Sequence, residues 1–346
     1  MYRFLQSLQH YINMQPTNTD RPLRVLTFNL GLLRVRLFGI SVCTIFSSPP
    51  YLPQRLDAIL LQLPVLLAER KVDVCALQEI YEESHVEALL SAVQAEMPYH
   101  ARVSNNRCYQ FHNGLLILSR VPIDAVTLEK HKQASVIEMA LGCKSCLCIH
   151  VTTHLGKISF VNLHTTSSDG VDSVRQNELE EAMVMCETAQ SEGYAAAIIG
   201  DLNMGPESSK PNYDFLLSSG YRDIVACRAP NIGATWDPNS PLNNTPIFAN
   251  SPPQRIDHFF VHESAHLVAV QVEKVFAEPS VVIPLKKGTI HVTLSDHFGL
   301  LVDVVKVVDM LPPPEQPSLA LQTAKEVGAF FIGVVIARLL EMVFES

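Results

Sequence analysis

Six apolar, strand-like runs in this chain each end in a polar signature, and that arrangement narrows the fold more than any other feature. Asn29 closes VLTFNLG, Glu79 closes VCALQE and His164 lies at the end of FVNLHTT. Asp201 and Asn203 follow AIIG, Asp257 sits in RIDHFFV, and Asp296–His297 open LSDHFGL. Carboxylates, amides and histidines at strand ends are how an α/β enzyme gathers one site from distant segments. All of these side chains offer oxygen or imidazole donors, a set that suits a divalent cation beside a general base.

With 346 residues, 47% of them hydrophobic, the chain can bury a large core. The runs extend from Val25 to Val305 without a linker, so residues 23–308 read as one catalytic domain after an N-terminal segment at 1–22. The formal net charge of −9 does not build the broad basic surface that a non-specific nucleic-acid binder needs, so a nucleic-acid partner is disfavoured. Cysteines such as Cys75, Cys146, Cys148 and Cys186 are embedded in apolar runs and read as reduced, buried thiols. Met1–Asp20 has mixed polarity and no cleavage-site pattern after an apolar core, which suggests an intracellular protein.

Periodicity organises the rest. Leu23–Phe28 reads as a strand. Leu30–Pro53, apolar and basic by turns with no clean period, reads as a long loop. Leu56, Ile59, Leu60, Leu63, Leu66 and Leu67 predict a helix over Gln54–Lys71, with Pro64 expected to kink it or end its first part. Asp73–Gln78 reads as a buried strand and Glu83–Met97 as a second helix. Gly114–Ser119, Ser135–Leu141, Cys146–Thr152 and Lys157–Leu163 read as strands joined by short turns. A helix over Asp172–Gln190 is expected, capped by Asp172 or Ser173, with Glu178, Glu180 and Glu181 on its wet face. Ala195–Ile199, Ile256–Val261, Leu267–Val272 and Phe298–Val305 complete the strands. The pattern predicts an α/β fold in which two packed sheets carry helices on the outside.

The chemistry follows from the residue types. Glu79, with an amide oxygen from Asn29 and Asp296 as an additional ligand, suits a hard cation such as Mg²⁺. His297 is the candidate base, and it needs an acceptor behind it; Asp257 is the candidate, unless it is tied to Arg255. Asp201 and Asn203, two apart, are placed to hold an attacking water and a phosphate oxygen, and His164 to stabilise charge on phosphorus or the leaving oxygen. Trp236 has two readings: a ring facing a choline cation, or ordinary packing.

The motifs TFNLG, ALQE, NLHT, IIGDLNMGP, RIDHFF and LSDH, in that order over Leu23–Val305, resemble the endonuclease/exonuclease/phosphatase superfamily of metal-dependent phosphodiesterases. The resemblance implies a four-layer α/β sandwich, two mixed and largely antiparallel sheets flanked by helices. It also implies Mg²⁺-dependent attack of water on a phosphoester, with Mn²⁺ or Co²⁺ as substitutes. The family's metal ligands fall on Glu79 and Asn29, its base on His297 with Asp257 behind it, and its phosphate contacts on His164, Asp201 and Asn203. Within the superfamily the chain is similar to neutral sphingomyelinases, through FHNGLLILSR, GDLNMGPES and TWDPNSPLN, which places Asn113 and Trp236 in substrate binding. Inositol polyphosphate 5-phosphatases usually follow GDLN with Tyr-Arg, where Met204–Gly205 stand here. The implied activity is phospholipase C-type cleavage of sphingomyelin or a related phospholipid to ceramide and phosphocholine. The alternatives are a nuclease, an inositol-phosphate phosphatase, and a catalytically silent membrane adaptor.

A lipid substrate requires docking at a membrane surface. The Leu32–Tyr51 segment offers Arg34 and Arg36 among Leu37, Phe38, Ile45, Phe46 and Tyr51, a mixture suited to the headgroup boundary if exposed. LPPPEQP makes residues 309–317 a stiff spacer, and residues 318–346 read as an apolar helix. Its core, Val327–Phe344, is interrupted by Arg338 and Glu341 and suits either membrane association or packing on protein. No pattern points to an oligomeric state.

Overall fold

The computed structural model describes residues 21–36, 44–102, 113–132, 144–167, 170–246 and 248–307. One compact unit ends at Val307. The strand expected at Ser135–Leu141, the spacer and the C-terminal helix lie outside the described residues.

The strands are, in chain order, β1 (Leu23–Asn29), β2 (Leu33–Arg36), β3 (Thr44–Ser48), β4 (Val74–Gln78), β5 (Tyr99–Arg102) and β6 (Leu116–Ser119). Then come β7 (Ile123–Lys130), β8 (Ser145–Thr153), β9 (Gly156–His164), β10 (Ala195–Asp201) and β11 (Tyr221–Asp223). The last are β12 (Asp257–His262), β13 (Leu267–Val275), β14 (Val281–Pro284), β15 (Thr289–Val292) and β16 (Gly299–Lys306). The helices are α1 (Leu52–Glu69), α2 (Glu83–Val93), α3 (Asp172–Ser191), α4 (Lys210–Ser218) and the short α5 (Ile224–Arg228).

One six-stranded sheet has the order β13-β16-β1-β4-β6-β5, the other β11-β12-β10-β9-β8-β7. Strand alternation divides each sheet's side chains between two cores. Val25, Val74 and Ile117 of the first sheet meet Ile149, Phe160, Ile199 and Phe259 of the second. On the outer side of the first sheet, Leu26, Phe28 and Leu77 pack on Ile59, Leu63 and Leu67 of α1 and on Val86 and Leu89 of α2. On the outer side of the second, Val161, Leu163 and Ile198 pack on Leu179 and Cys186 of α3 and Leu216 of α4. The result is the expected α/β sandwich in four layers.

This topology collects the polar signatures at one pole. β1 and β4 are parallel, with Asn29 opposite Gln78, so Asn29 and Glu79 emerge together. β9 and β10 are parallel, with His164 opposite Asp201. β12 runs antiparallel to β10 and starts there, with Asp257 opposite Asp201. β16 runs antiparallel to β1 and starts just after His297. Gly200, at φ +134°, is required in β10, because a Cβ there would collide with the Leu163 carbonyl. Beneath the pole the sheets are tied across the core: Gln78 Nε2 donates to Asn162 Oδ1 at 2.8 Å, and Asn162 Nδ2 to the Leu77 carbonyl at 3.0 Å.

Four expectations are corrected. The segment after β1 is not loop throughout; β2 and β3 pair as an antiparallel ribbon, which needs only backbone partners and leaves no clean period. Pro64 does not end the first part of α1, which continues to Glu69, because the buried row Ile59, Leu63 and Leu67 holds the helix while Pro64 sits on its half-exposed side. Neither Asp172 nor Ser173 caps α3: the N-cap is Val171, and the Asp172 carboxylate accepts from Arg175 and Ser209 instead. Glu178 does not face water. It is fully buried and accepts from the Thr166 N–H at 2.8 Å and hydroxyl at 2.7 Å, tethering the loop after His164. Strand β7, mostly exposed and without alternation, carries no sequence signal; its place comes from pairing with β8.

Candidate active site

Asn29 stands at the centre of the pole. Its Nδ2 donates to Glu79 Oε1 at 3.0 Å and to Asp201 Oδ2 at 2.9 Å, so one amide bridges a carboxylate from each sheet. The amide oxygen, expected to face a cation, accepts from the Gly31 N–H at 2.9 Å. Two carboxylate oxygens take the end of the amide that has two hydrogens to give. Glu79 reaches this place through a left-handed backbone, φ +60°, directly after β4, and Asn203 has φ +45° after β10. Such conformations in non-glycine residues persist only where the surroundings impose them.

His297 follows. Its Nδ1 lies 2.9 Å from Asp257 Oδ2 and its Nε2 lies 3.6 Å from Asp201 Oδ2. Asp257 is fully buried and accepts nothing from Arg255; the Arg255 guanidinium instead meets Asp223 at 2.6 Å. An Nδ1–H facing a carboxylate leaves Nε2 to exchange the proton. Burial alone would lower the pKa of His297, but Asp257 and Asp201, joined by Asp296, hold it well above the ordinary histidine value. His164 behaves oppositely. Burial, with Lys144 and His297 nearby, keeps its imidazole neutral, 3.8 Å from Glu79 Oε1 and 3.6 Å from Asp201 Oδ2.

The carboxylates repel one another. Burial first, and then Asp296, pushes Glu79 up to about 7. Burial and Asp257 push Asp201 up to about 6, against the pull of His297, Asn29 and the Asn203 N–H. Ligand atoms of Glu79, His164 and Asp201 lie within 4.8 Å of one another, as do those of Asp201, Asp257 and His297. Asp296 belongs to neither group: Oδ1 accepts from the Ser295 hydroxyl at 3.1 Å and backs onto Gly31. Buried, crowded oxygen donors with raised proton affinity are what a hard divalent cation would neutralise, so the residues fit one.

Asn203 is a rim residue whose Nδ2 donates to the Thr165 carbonyl at 3.0 Å while its N–H donates to Asp201 Oδ1 at 3.0 Å. Asn113 is buried, with Nδ2 on Ser145 Oγ and Oδ1 accepting from the Leu115 N–H, so it supports the start of β8 and does not enter the carboxylate cluster. Trp236 takes its packing reading: it is 8% exposed and its ring meets Phe248 edge-on at 5.1 Å. Its backbone nonetheless bridges to His297.

Several positioning residues carry weak sequence signals or none. TWDPNSPLN is visible as a motif, but its work is mechanical. The Thr235 hydroxyl accepts from the N–H groups of Ile256 and Asp257 at 3.1 Å, and Asn243 Nδ2 donates to the Asp296 carbonyl at 2.9 Å. Lys144 follows residues that lie outside the described ones and has no motif; its Nζ donates to the Thr165 carbonyl at 2.6 Å. Behind Asp257, His258 Nδ1 lies 3.0 Å from Asp223 Oδ2 and Nε2 lies 2.7 Å from the Met204 carbonyl, which locks the GDLNMG turn to β12. Asp223→Asn removes the charge partner of a buried Arg255, and a loss of about 3–5 kcal/mol of folding stability is expected. Urea denaturation checks it, and a loss below about 1 kcal/mol would mark the network as peripheral.

The model of the Endonuclease/Exonuclease/phosphatase family matches residues 26–297. No curated protein matches the chain in sequence. Among solved structures, sphingomyelinase C from Streptomyces griseocarneus is similar at a TM-score of 0.61 and 15% identity, over 82% of this chain and 99% of that one. Beta toxin from Staphylococcus aureus with bound magnesium ions is similar at 0.59 and 19% identity, over 82% and 99%. TDP2 from D. rerio, complexed with a single-strand DNA product, is similar at 0.59 and 17% identity, again over 82% and 99%. At these identities the likeness is one of fold. The family match, which spans every polar strand end from Asn29 to His297, carries further: the chain belongs to the endonuclease/exonuclease/phosphatase family.

Proposed function

We propose that this protein is a Mg²⁺-dependent phosphodiesterase that cleaves sphingomyelin or a related phospholipid to ceramide and phosphocholine. The reading rests on one observation above all: His297 is held between Asp257 and Asp201 within the same pole as Glu79. Glu79 would hold the ion with Asp296 beside it, and Asn29 would join them with its amide turned so that the oxygen faces the cation; Mn²⁺ or Co²⁺ would substitute. When bound, Mg²⁺ offsets the carboxylate charge, polarises the phosphoryl group and favours departure of the alkoxide.

The chain's own groups supply the rest. In its neutral form His297, whose raised proton affinity makes it a strong base, takes a proton from water at Nε2, and Asp257 stabilises the imidazolium. Asp201 accepts the water's second hydrogen and Asn203 orients a phosphoryl oxygen. Neutral His164 donates toward the charge growing on phosphorus. The water oxygen bonds to phosphorus as the bond to the ceramide oxygen breaks.

Lipid, rather than nucleic acid, is favoured by the acidic composition and by the β14–β15 hairpin that leads into Asp296–His297. Val282 and Leu285 are 52% and 44% exposed there, next to exposed Lys286 and Lys287. That pairing of apolar and basic side chains suits a headgroup boundary. Arg34 contributes less than its sequence suggested, since it lies 3.6 Å from Glu82. Among the described residues no helix is long and apolar enough to cross a membrane.

The test is phosphocholine release from sphingomyelin-containing vesicles, with and without Mg²⁺, run beside lysophospholipid, inositol phosphates and single-stranded or abasic DNA. Mg²⁺-dependent release from vesicles, and slower turnover of the other substrates, is expected. Faster cleavage of DNA or inositol phosphates would replace the lipid reading; failure on every phosphoester would favour a non-catalytic adaptor.

A further inference from the structure

Arg55 lies on the inner face of α1, in the row Leu52, Arg55, Ile59 and Leu63, and is fully buried. A guanidinium has five N–H donors in a rigid fork, and here each finds a main-chain carbonyl. Nε donates to Pro50 at 2.9 Å, Nη1 to Leu30 at 3.1 Å and Leu294 at 2.9 Å, and Nη2 to Gly31 at 2.5 Å and Pro49 at 3.2 Å. The carbonyls come from three separated segments: the turn directly after Asn29, the turn that feeds α1, and the chain two residues before Asp296. Among the described residues no carboxylate touches Arg55.

Such a group is an expensive way to anchor a helix, since a buried ion without a carboxylate partner costs several kcal/mol before its hydrogen bonds repay it. An apolar residue in this row would pack without that cost. The geometry around Gly31 shows what the arrangement secures. Gly31 has φ +56°, and a Cβ on it would lie 2.5 Å from Asp296 Oδ1 and 2.9 Å from Pro49 Cδ. The two halves of the active pole, Asn29–Glu79 and Asp296–His297, therefore touch at Gly31, and Arg55 grips the main chain on both sides of that contact. Burial pulls the Arg55 pKa down to about 10 while Asp296 and Glu79 pull it back, so its charge faces the acidic cluster.

We propose that Arg55 is a positioning residue that sets the separation of Glu79 from Asp296–His297, and with it the affinity of the pole for a divalent cation. The cation arm of this proposal rests on the metal-dependent reading above. Its test compares Arg55→Met and Arg55→Lys with the wild-type chain. The readouts are Tm, the Mg²⁺ concentration giving half of the Mg²⁺-induced rise in Tm, and the imidazole NMR signal of His297. Arg55→Met is expected to raise half-saturating Mg²⁺ by about tenfold or more, the size of effect seen when groups supporting metal ligands are lost, and to shift the His297 signal. Arg55→Lys, which keeps the charge and three donors, is expected to fall between.

A lowered Tm in Arg55→Met with half-saturating Mg²⁺ within twofold of wild type and an unmoved His297 signal would overturn the proposal, leaving a purely structural staple. Should Arg55→Met fail to fold, Gly31→Ala opens the same contact with Arg55 intact. The same changes in Mg²⁺ response and His297 signal are expected, and their absence overturns the proposal. If the wild-type chain itself shows no Mg²⁺ response, the metal reading fails separately, and the His297 signal alone decides the role of Arg55.

Discussion

Replacement of His297 by alanine is expected to lower kcat by about a thousandfold, within the range for loss of a general base. The imidazole is the group whose Nε2 opens onto Asp201 while Nδ1 is held by Asp257. Alanine also strands Asp257, which is fully buried and whose Oδ1 already has no partner among the described residues. Part of the loss would then be instability, at about 1–3 kcal/mol for a buried acceptor left unpaired. His297→Asn separates the two effects, because its amide N–H occupies roughly the place of Nδ1–H and keeps the bond to Asp257. The asparagine variant should unfold near the wild-type temperature and still lack turnover. A kcat within tenfold of wild type in that variant, measured at saturating Mg²⁺, would remove His297 as the base.

Glu79→Gln should abolish the response to Mg²⁺. Half-saturating Mg²⁺, read from thermal unfolding, is expected to rise by about 100-fold or more, at least the upper range for groups that only support a ligand. The pH dependence of the wild-type chain gives an independent check. Glu79 and Asp201 titrate at about 7 and about 6, above their unfolded values, so the folded chain holds protons that the unfolded chain has released. Their contribution to stability is therefore present at low pH and is lost as pH rises through 6 and 7. Mg²⁺ competes with those protons, and its stabilising effect should grow over the same interval. In Glu79→Gln the metal-free chain should lose less stability between pH 5 and pH 8, and Mg²⁺ should restore little. A Mg²⁺-induced Tm shift equal at pH 5 and pH 8 in the wild-type chain would show that these carboxylates do not hold the ion.

The readable parts of this molecule were local. Strands such as Leu23–Asn29 and Ala195–Asp201 announce themselves because a strand buried on both faces is mostly apolar, and the polar residue that ends it breaks the run. Helix α1 was legible from leucine spacing even through Pro64. What failed had no local cause. β7 is mostly exposed and pairs along one edge, so neither alternation nor apolar content marks it. Glu178 resembles its exposed neighbours Glu180 and Glu187, and only the approach of Thr166 makes its carboxylate a buried acceptor. Arg255 sits two residues from Asp257 and invited an ion pair, but its guanidinium meets Asp223 while Asp257 accepts from His297.

The order of residues determined which groups end each strand, and hence the inventory of oxygens and imidazoles available for chemistry. Tertiary structure decided their relations. Parallel pairing of β1 with β4 and of β9 with β10 brought the ends to one pole, and Asn29 turned its nitrogen, not its oxygen, toward the two carboxylates. Arg55 took its place among carbonyls from turns that no spacing rule connects. The difference is physical: strand ends follow from burial along a few neighbouring residues, whereas an amide's orientation and a guanidinium's partners depend also on groups as far off in sequence as Asp201 from Asn29 and Leu294 from Arg55.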